Sequence, residues 1–189
     1  HKTFKDYRDT KKIVFDSLSK NSFAIINRDD RNADYMVQNT KANIYTYSLK
    51  SKSNFSCRII EQQLDGMLLS IDNSEIWTKL IGKFNASNIL AIYSVGRLYN
   101  IDKINLLTGI SSLESVVGRL QSFLSIDEVT VIIDYAHTPD AIENVISTIN
   151  NIKKSNQNLI TVIGCGGDRD KDKRPVSYTH LRAHETLDN

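Results

Sequence analysis

Apolar positions recur at helical spacing from Thr3 to Leu18, where Phe4, Tyr7, Lys11, Val14, Phe15 and Leu18 share one side and charges fill the other. An amphipathic helix is predicted there. Ser22 to Ile26 is a short apolar run of strand type, closed by the polar cluster Asn27 to Asp30, which is able to cap a helix over Asn32 to Gln38. From Asn43 to Lys79 the pattern breaks into β-prone pieces at Ile44–Tyr47, Phe55–Ile60, Met67–Ile71 and Ile76–Leu80, with Asp65-Gly66 as a hairpin turn. These predict a small antiparallel insertion. Helical periodicity returns over Asn88–Leu98 and Lys103–Leu113, the second opened by Asp102 as an N-cap. Val129–Ile133 is a continuous β-branched run, Pro139–Ile152 a helix with proline in its first turn, and Leu159–Ile163 a second buried-strand run. Together they predict a βαβ unit with a right-handed crossover, hence a parallel sheet.

Both predicted strands of that unit run into polar loops, the place where open parallel sheets bind ligands. The first loop spans Asp134 to Asp140. Asp134 can accept from a ribose hydroxyl, Tyr135 or His137 can lie against a base, and Thr138 can cap the helix that Pro139 enters. The same residues also fit a plainer role, in which Asp134 and Thr138 cap a helix and His137 is satisfied nearby. The loop by itself favours that plainer reading. The second loop, Gly164 to Pro175, places three glycines directly after a strand, which permits close backbone approach to a ligand, and follows them with alternating charges. Its plain alternative is a tight turn before a solvated helix start. No Gly-Lys-Ser/Thr follows, so it is not a phosphate-cradling Walker A loop.

The 189 residues allow one full core or parts of two, and 40% hydrophobic with 24% charged residues is ordinary for a folded, water-soluble chain. A net charge of +2 gives no field for steering onto nucleic acid or anionic lipid. Apolar runs fall far short of the roughly 20 residues that span a bilayer, and the first residues form no signal peptide. Cys57 and Cys165, widely separated, make neither a disulfide framework nor a zinc knuckle and agree with a cytoplasmic address.

Taken in order, DYAHTPDA from Asp134 and GCGGDRDKDKRP from Gly164 resemble the Mur ligase family, and within it the branch that adds the third residue of the peptidoglycan stem peptide. The resemblance covers Lys2 to Pro175. It implies an α/β fold in two parts: the C-terminal part of a central ATPase domain with a small β insertion (1–116), then the first βαβ unit of a Rossmann-like C-terminal domain (117–175). It also implies ATP and Mg2+ as cofactors, and UDP-MurNAc-dipeptide and a free amino acid as substrates. A monomer acting in the cytoplasm, with neither nucleic acid nor membrane as partner, is the expectation.

His1, Tyr7 and Lys11 match the family's H…Y…K spacing, in which the lysine becomes a carbamate that helps hold magnesium; a carbamate turns an ammonium into the oxygen ligand a hard cation needs. Asn85 and Asn88 match a pattern whose second asparagine meets adenine. Arg119 matches an arginine reaching the phosphates, Asp134 the carboxylate on the ribose, and Tyr135 and His137 residues close to the nucleotide. The implied reaction phosphorylates a carboxylate with ATP, after which an amino group displaces phosphate. The UDP-binding domain, the P-loop and the segment selecting the third amino acid have no match here, so the chain alone is expected not to turn over. Val176 to Asn189 departs from the family and reads as a foreign tail, so His180 and His184 are not taken as a metal site. The alternatives are another Mur-type or folylpolyglutamate-type ligase, or a non-catalytic nucleotide-binding module.

Overall fold

A computed structural model describes residues 3–126 and 129–164, and these divide into two compact units. The first comprises residues up to 61, 68–78 and 83–113; the second takes in 62–67, 79–82 and the chain from 114 onward. The expected tail and all but the first residue of the Gly164–Pro175 loop lie outside the described residues, as does His1.

In the first unit, helix α1 (Phe4–Asp16) starts where Thr3 Oγ1 accepts the Asp6 N–H at 3.1 Å, with Asp6 adding negative charge to the first turn. Its buried face differs from the predicted one. Lys12 is buried and Phe15 and Leu18 pack inward, while Phe4, Tyr7, Ile13 and Val14 stay exposed. The reason is the neighbour: helix α2 (Ala33–Met36) sets Tyr35 against Arg8 and Lys12, so the side of α1 that carries these two residues is covered, while Phe15 and Leu18 pack on the core. The predicted helix over 32–38 is thus a single turn.

Strands β1 (Phe23–Asn27), β2 (Asn43–Ser48), β3 (Phe55–Gln63), β4 (Gly66–Ile71) and β5 (Ser74–Thr78) form one sheet in sequence order. The expected insertion is therefore not wholly antiparallel: β2 runs parallel to β1, with Phe23 opposite Asn43 and Asn27 opposite Tyr47. Strand β3 is also parallel to β2, but only through Tyr47–Phe55 and Ser48–Ser56. A parallel neighbour normally needs a long crossover. The short connection 49–54 suffices here because β3 begins where β2 ends. The two-residue links after β3 and β4 make the rest a meander, and Asp72 and Asn73, at φ 45° and 64°, supply the left-handed pair that a tight hairpin demands.

Ala24 and Ile26 of β1 pack with Ala33, Val37 and Ala42 under α1. Helix α3 (Lys83–Leu98) buries Ala86, Ile89, Leu90 and Tyr93, and Tyr93 meets Phe55 edge-on at 6.2 Å. Helix α4 (Lys103–Ser111) starts at Asp102, whose carboxylate takes the N–H groups of Ile104 and Asn105. It lies so close to α3 that a Cβ on Gly96 would collide with the Leu106 side chain.

The second unit contains strands β6 (Gln121–Leu124) and β7 (Thr130–Ile133), paired antiparallel, and helix α5 (Pro139–Ile152). Thr138 Oγ1 caps α5 by accepting the Ala141 N–H, as its sequence predicts. Ile149, Leu120 and Ile81 form the core, with Ile132, Val145, Ile152 and Leu159 packed against it. The predicted return strand Leu159–Ile163 is not in a sheet among the described residues, and Ile160 and Val162 are 86% and 91% exposed. A strand apolar on both faces needs neighbours that cover both, and the described residues place only β6 beside β7. Strand β6 had no counterpart in the sequence reading. No described helix is long and apolar enough to cross a membrane.

Candidate functional site

The predicted site residues fall into two groups, one in each unit. In the first unit, Lys11 lines a pocket of about 280 Å³ with Tyr7, Asn27, Asp30 and Asn32, at the carboxyl end of β1. Its Nζ lies 5.4 Å from the centre of the Tyr7 ring, so the H…Y…K spacing does bring the last two residues together. Asn85 and Asn88 sit in the first two turns of α3, Asn85 half-buried and Asn88 exposed. Neither is an N-cap, since α3 already begins at Lys83. Asn27 joins the two neighbourhoods: it lines the Lys11 pocket, and its Nδ2 donates to Ser87 Oγ at 3.4 Å, between Asn85 and Asn88 in sequence.

Sequence reasoning passed over the polar run that follows β1, beyond seeing a helix cap in it. Asp29 accepts from Ser48 Oγ at 2.6 Å and from the Leu49 N–H at 2.8 Å, pinning the end of β1 to the end of β2. Asp30 accepts the Asn32 N–H at 2.7 Å and lines the pocket with it. The signal available was Asn-Arg-Asp-Asp directly after an apolar strand, the place where a sheet presents polar groups.

In the second unit, Asp134 is the organising group. Its Oδ2 accepts the Leu120 N–H at 2.8 Å and its Oδ1 the Ala136 N–H at 2.7 Å, while the Gly118 carbonyl accepts from the Tyr135 N–H at 2.8 Å. These three bonds stitch the segment carrying Arg119 to the segment carrying Tyr135 and His137. Gly118 at φ 73° and Leu120 at φ 43° bracket Arg119, and the guanidinium is exposed. For Gly118 the left-handed backbone is the requirement, because a Cβ there would meet nothing within 4 Å. Leu120 adopts the same region with its side chain 2% exposed in the core. The Tyr135 and His137 rings lie 5.6 Å apart, tilted at 58° to each other, on the exposed side, and His137 Nδ1 faces the Tyr135 carbonyl at 3.2 Å. With Nδ1 donating to that carbonyl, Nε2 is left as an acceptor.

The arrangement offers a cation, two neighbouring rings and a carboxylate on adjoining turns. Each Asp134 oxygen has one lone pair committed to backbone and one to spare. No group of three or more His, Cys, Asp or Glu among the described residues could hold a metal ion. Lys11 shares its pocket with a single carboxylate, that of Asp30.

Residues 1–96 match the Mur ligase middle domain and residues 118–186 the Mur ligase glutamate ligase domain. Over 176 residues the chain is 46% identical to a UDP-N-acetylmuramoyl-L-alanyl-D-glutamate--2,6-diaminopimelate ligase of Cytophaga hutchinsonii, covering 93% of this chain and 36% of that protein. It is 35% identical to the ligase of the same name from Geobacillus thermodenitrificans over 186 residues, 93% of this chain and 38% of that protein. A solved structure of a ligase with that name superposes with a TM-score of 0.68 at 31% identity, over 97% of this chain and 39% of the other. The chain thus spans little more than a third of the length of the relatives it matches. A MurF ligase of Thermotoga maritima, solved in complex with ADP, shares the fold at a TM-score of 0.63 and 18% identity, over 78% of this chain and 35% of that one. With two family domains matched in order across most of its residues, the chain belongs to the Mur ligase family.

Proposed function

We propose that this chain forms part of an ATP-dependent ligase that joins 2,6-diaminopimelate to UDP-MurNAc-L-Ala-D-Glu in peptidoglycan synthesis. The observation that carries this reading is the junction of residues 118–120 with 134–137, where the Asp134 carboxylate holds Arg119, Tyr135 and His137 on adjoining turns. The names of the relatives support the choice of reaction and of diaminopimelate as the incoming amine.

In this reading the substrate carboxylate attacks the γ-phosphorus of ATP, giving an acyl phosphate and ADP; the amino group then attacks the acyl carbon and phosphate departs. Catalysis of this type is chiefly positioning and charge neutralisation. Arg119 meets phosphate oxygens, and the spare lone pairs of Asp134 accept from ribose hydroxyls. We read Tyr135 and His137 as residues close to the nucleotide, and Asn88, the second asparagine of its pattern, as the one that meets adenine. Lys11, as its carbamate, would give magnesium one anionic oxygen, and the chemistry such an ion would supply is neutralisation of phosphate charge.

We further assign residues 1–116 to the central domain and 117–175 to the C-terminal one, with 176–189 foreign to both, and place the enzyme in the cytoplasm as a monomer. The test is to supply the full-length parent protein with ATP, UDP-MurNAc-dipeptide and either diaminopimelate or L-lysine, following phosphate release and product mass. Diaminopimelate-dependent release with the matching mass is expected. Release with lysine alone would correct the acceptor, and none with either would overturn the reading.

A further inference from the structure

We propose that Arg28, Lys52 and Asn54 form an oxyanion-binding pocket, separate from the Lys11 pocket and taking a phosphate or carboxylate group. The two walls come from different parts of the first unit. Arg28 directly follows β1 and is fixed by its N–H to the Tyr47 carbonyl at 2.9 Å; Lys52, Ser53 and Asn54 belong to the connection between β2 and β3. Together with Thr46 they enclose an open space of about 400 Å³.

Three features give this space the character of an anion site. First, no carboxylate lines it, whereas the Lys11 pocket contains Asp30. Asp29, adjacent to Arg28, has both oxygens turned to Ser48 and Leu49. Second, neither Arg28 nor Lys52 is in an ion pair among the described residues, so two positive charges face one cavity without an internal counter-charge. Third, the neutral groups are already oriented. Asn54 Oδ1 accepts from the Thr46 N–H and Oγ1, at 2.9 and 3.0 Å, and the Asn54 N–H donates back to Thr46 Oγ1 at 3.2 Å. With its oxygen spent on Thr46, the Asn54 amide has only its NH2 to offer a ligand. Ser53 Oγ donates to the Phe55 carbonyl at 2.6 Å and so shapes the wall without competing for the anion.

A guanidinium fork, an ammonium and an amide NH2 make a donor set that suits an oxyanion and repels a cation. The pocket also lies where β1 and β2 end, the side on which parallel strands present ligand sites. Because it is open to water, its affinity is modest and salt-sensitive.

The test titrates the intact chain with inorganic phosphate, and in parallel with acetate and chloride at matched ionic strength, following backbone amides by 15N NMR. Saturable shifts at Arg28, Lys52, Ser53 and Asn54 with phosphate are expected. Saturation with acetate as well would define a general carboxylate and phosphate site; phosphate alone would define a phosphate site. Lys52→Gln should weaken binding roughly tenfold, and Arg28→Gln with Lys52→Gln should abolish it while the Asn85 and Lys11 amides stay in place. Linear shifts equal to those with chloride, or shifts spread over surface lysines such as Lys5, Lys20 and Lys41, would overturn the proposal. These outcomes do not depend on ligase activity.

Discussion

The Tyr35 hydroxyl donates to Asp9 at 2.8 Å while the Arg8 guanidinium covers the same ring at 3.9 Å, so one aromatic side chain of α2 grips two successive residues of α1. Lys12, one turn beyond Arg8, closes the grip by lying 5.7 Å from that ring and pairing with Asp16. Lys11, rotated away from this contact, is thereby carried on a fixed helix with its own side chain at the pocket.

Replacing Lys11 with Ala in the full-length parent enzyme is expected to abolish most ligation and leave the fold intact, because the side chain is exposed and alanine favours helix. Circular dichroism checks the fold and phosphate release the activity. Partial rescue by short carboxylic acids would identify a missing oxygen ligand; near-normal turnover at saturating ATP and magnesium would reduce Lys11 to a solvated lysine.

Asp134→Ala strands two backbone donors, those of Leu120 and Ala136, and should cost about 2 kcal/mol of stability, several degrees in Tm. Thermal unfolding of the chain reads this directly. An unchanged Tm would mean that the two loops are not joined through this carboxylate.

Thr138→Ala removes the cap of α5 and is expected to destabilise by about 1 kcal/mol, with Thr138→Ser nearly neutral. Urea unfolding of both variants separates the hydroxyl from the methyl group.

Stability should fall above pH 9. Burial raises the Cys57 thiol from 9.0 to about 12 and the Tyr93 phenol from 10.0 to about 12, with Asp72 adding to both. The folded chain therefore holds protons that the unfolded chain releases in this interval, and the stabilisation is complete below about pH 9 and gone by about 12. Tyr93→Phe should flatten the alkaline decline measured by urea midpoints between pH 8 and 11. By the same argument Cys57, in a Cys165→Ser background, should resist thiol reagents at pH 8 until the chain unfolds.

Helices with strong caps were the most legible parts of the sequence: Asp102 and Thr138 fix α4 and α5 by local bonds alone. The orientation of β2 and β3 was not legible, because apolar alternation reads the same in a parallel or an antiparallel pair; the offset start of β3 decides it. The face of α1 was misread because Lys12 is buried by Tyr35, a tertiary contact that periodicity cannot see. Within the candidate site, the sequence motifs located Asp134, Tyr135 and His137 together but could not reveal that the carboxylate reaches back to Leu120. That bond spans a segment, β6 included, that carries no strong pattern of its own.

Leu120 holds a left-handed backbone at φ 43°, a conformation that costs a leucine on the order of 1 kcal/mol or more and persists only because its side chain is buried and its N–H is held by Asp134. That makes the peptide following Arg119 a spring latched by the same carboxylate that has lone pairs open to a ligand. In the proposed nucleotide site, a hydroxyl drawing on Asp134 would change the strength of the latch; if that change alters the hold of Arg119 on phosphate, reciprocity requires phosphate to alter the affinity for the hydroxyl in equal measure.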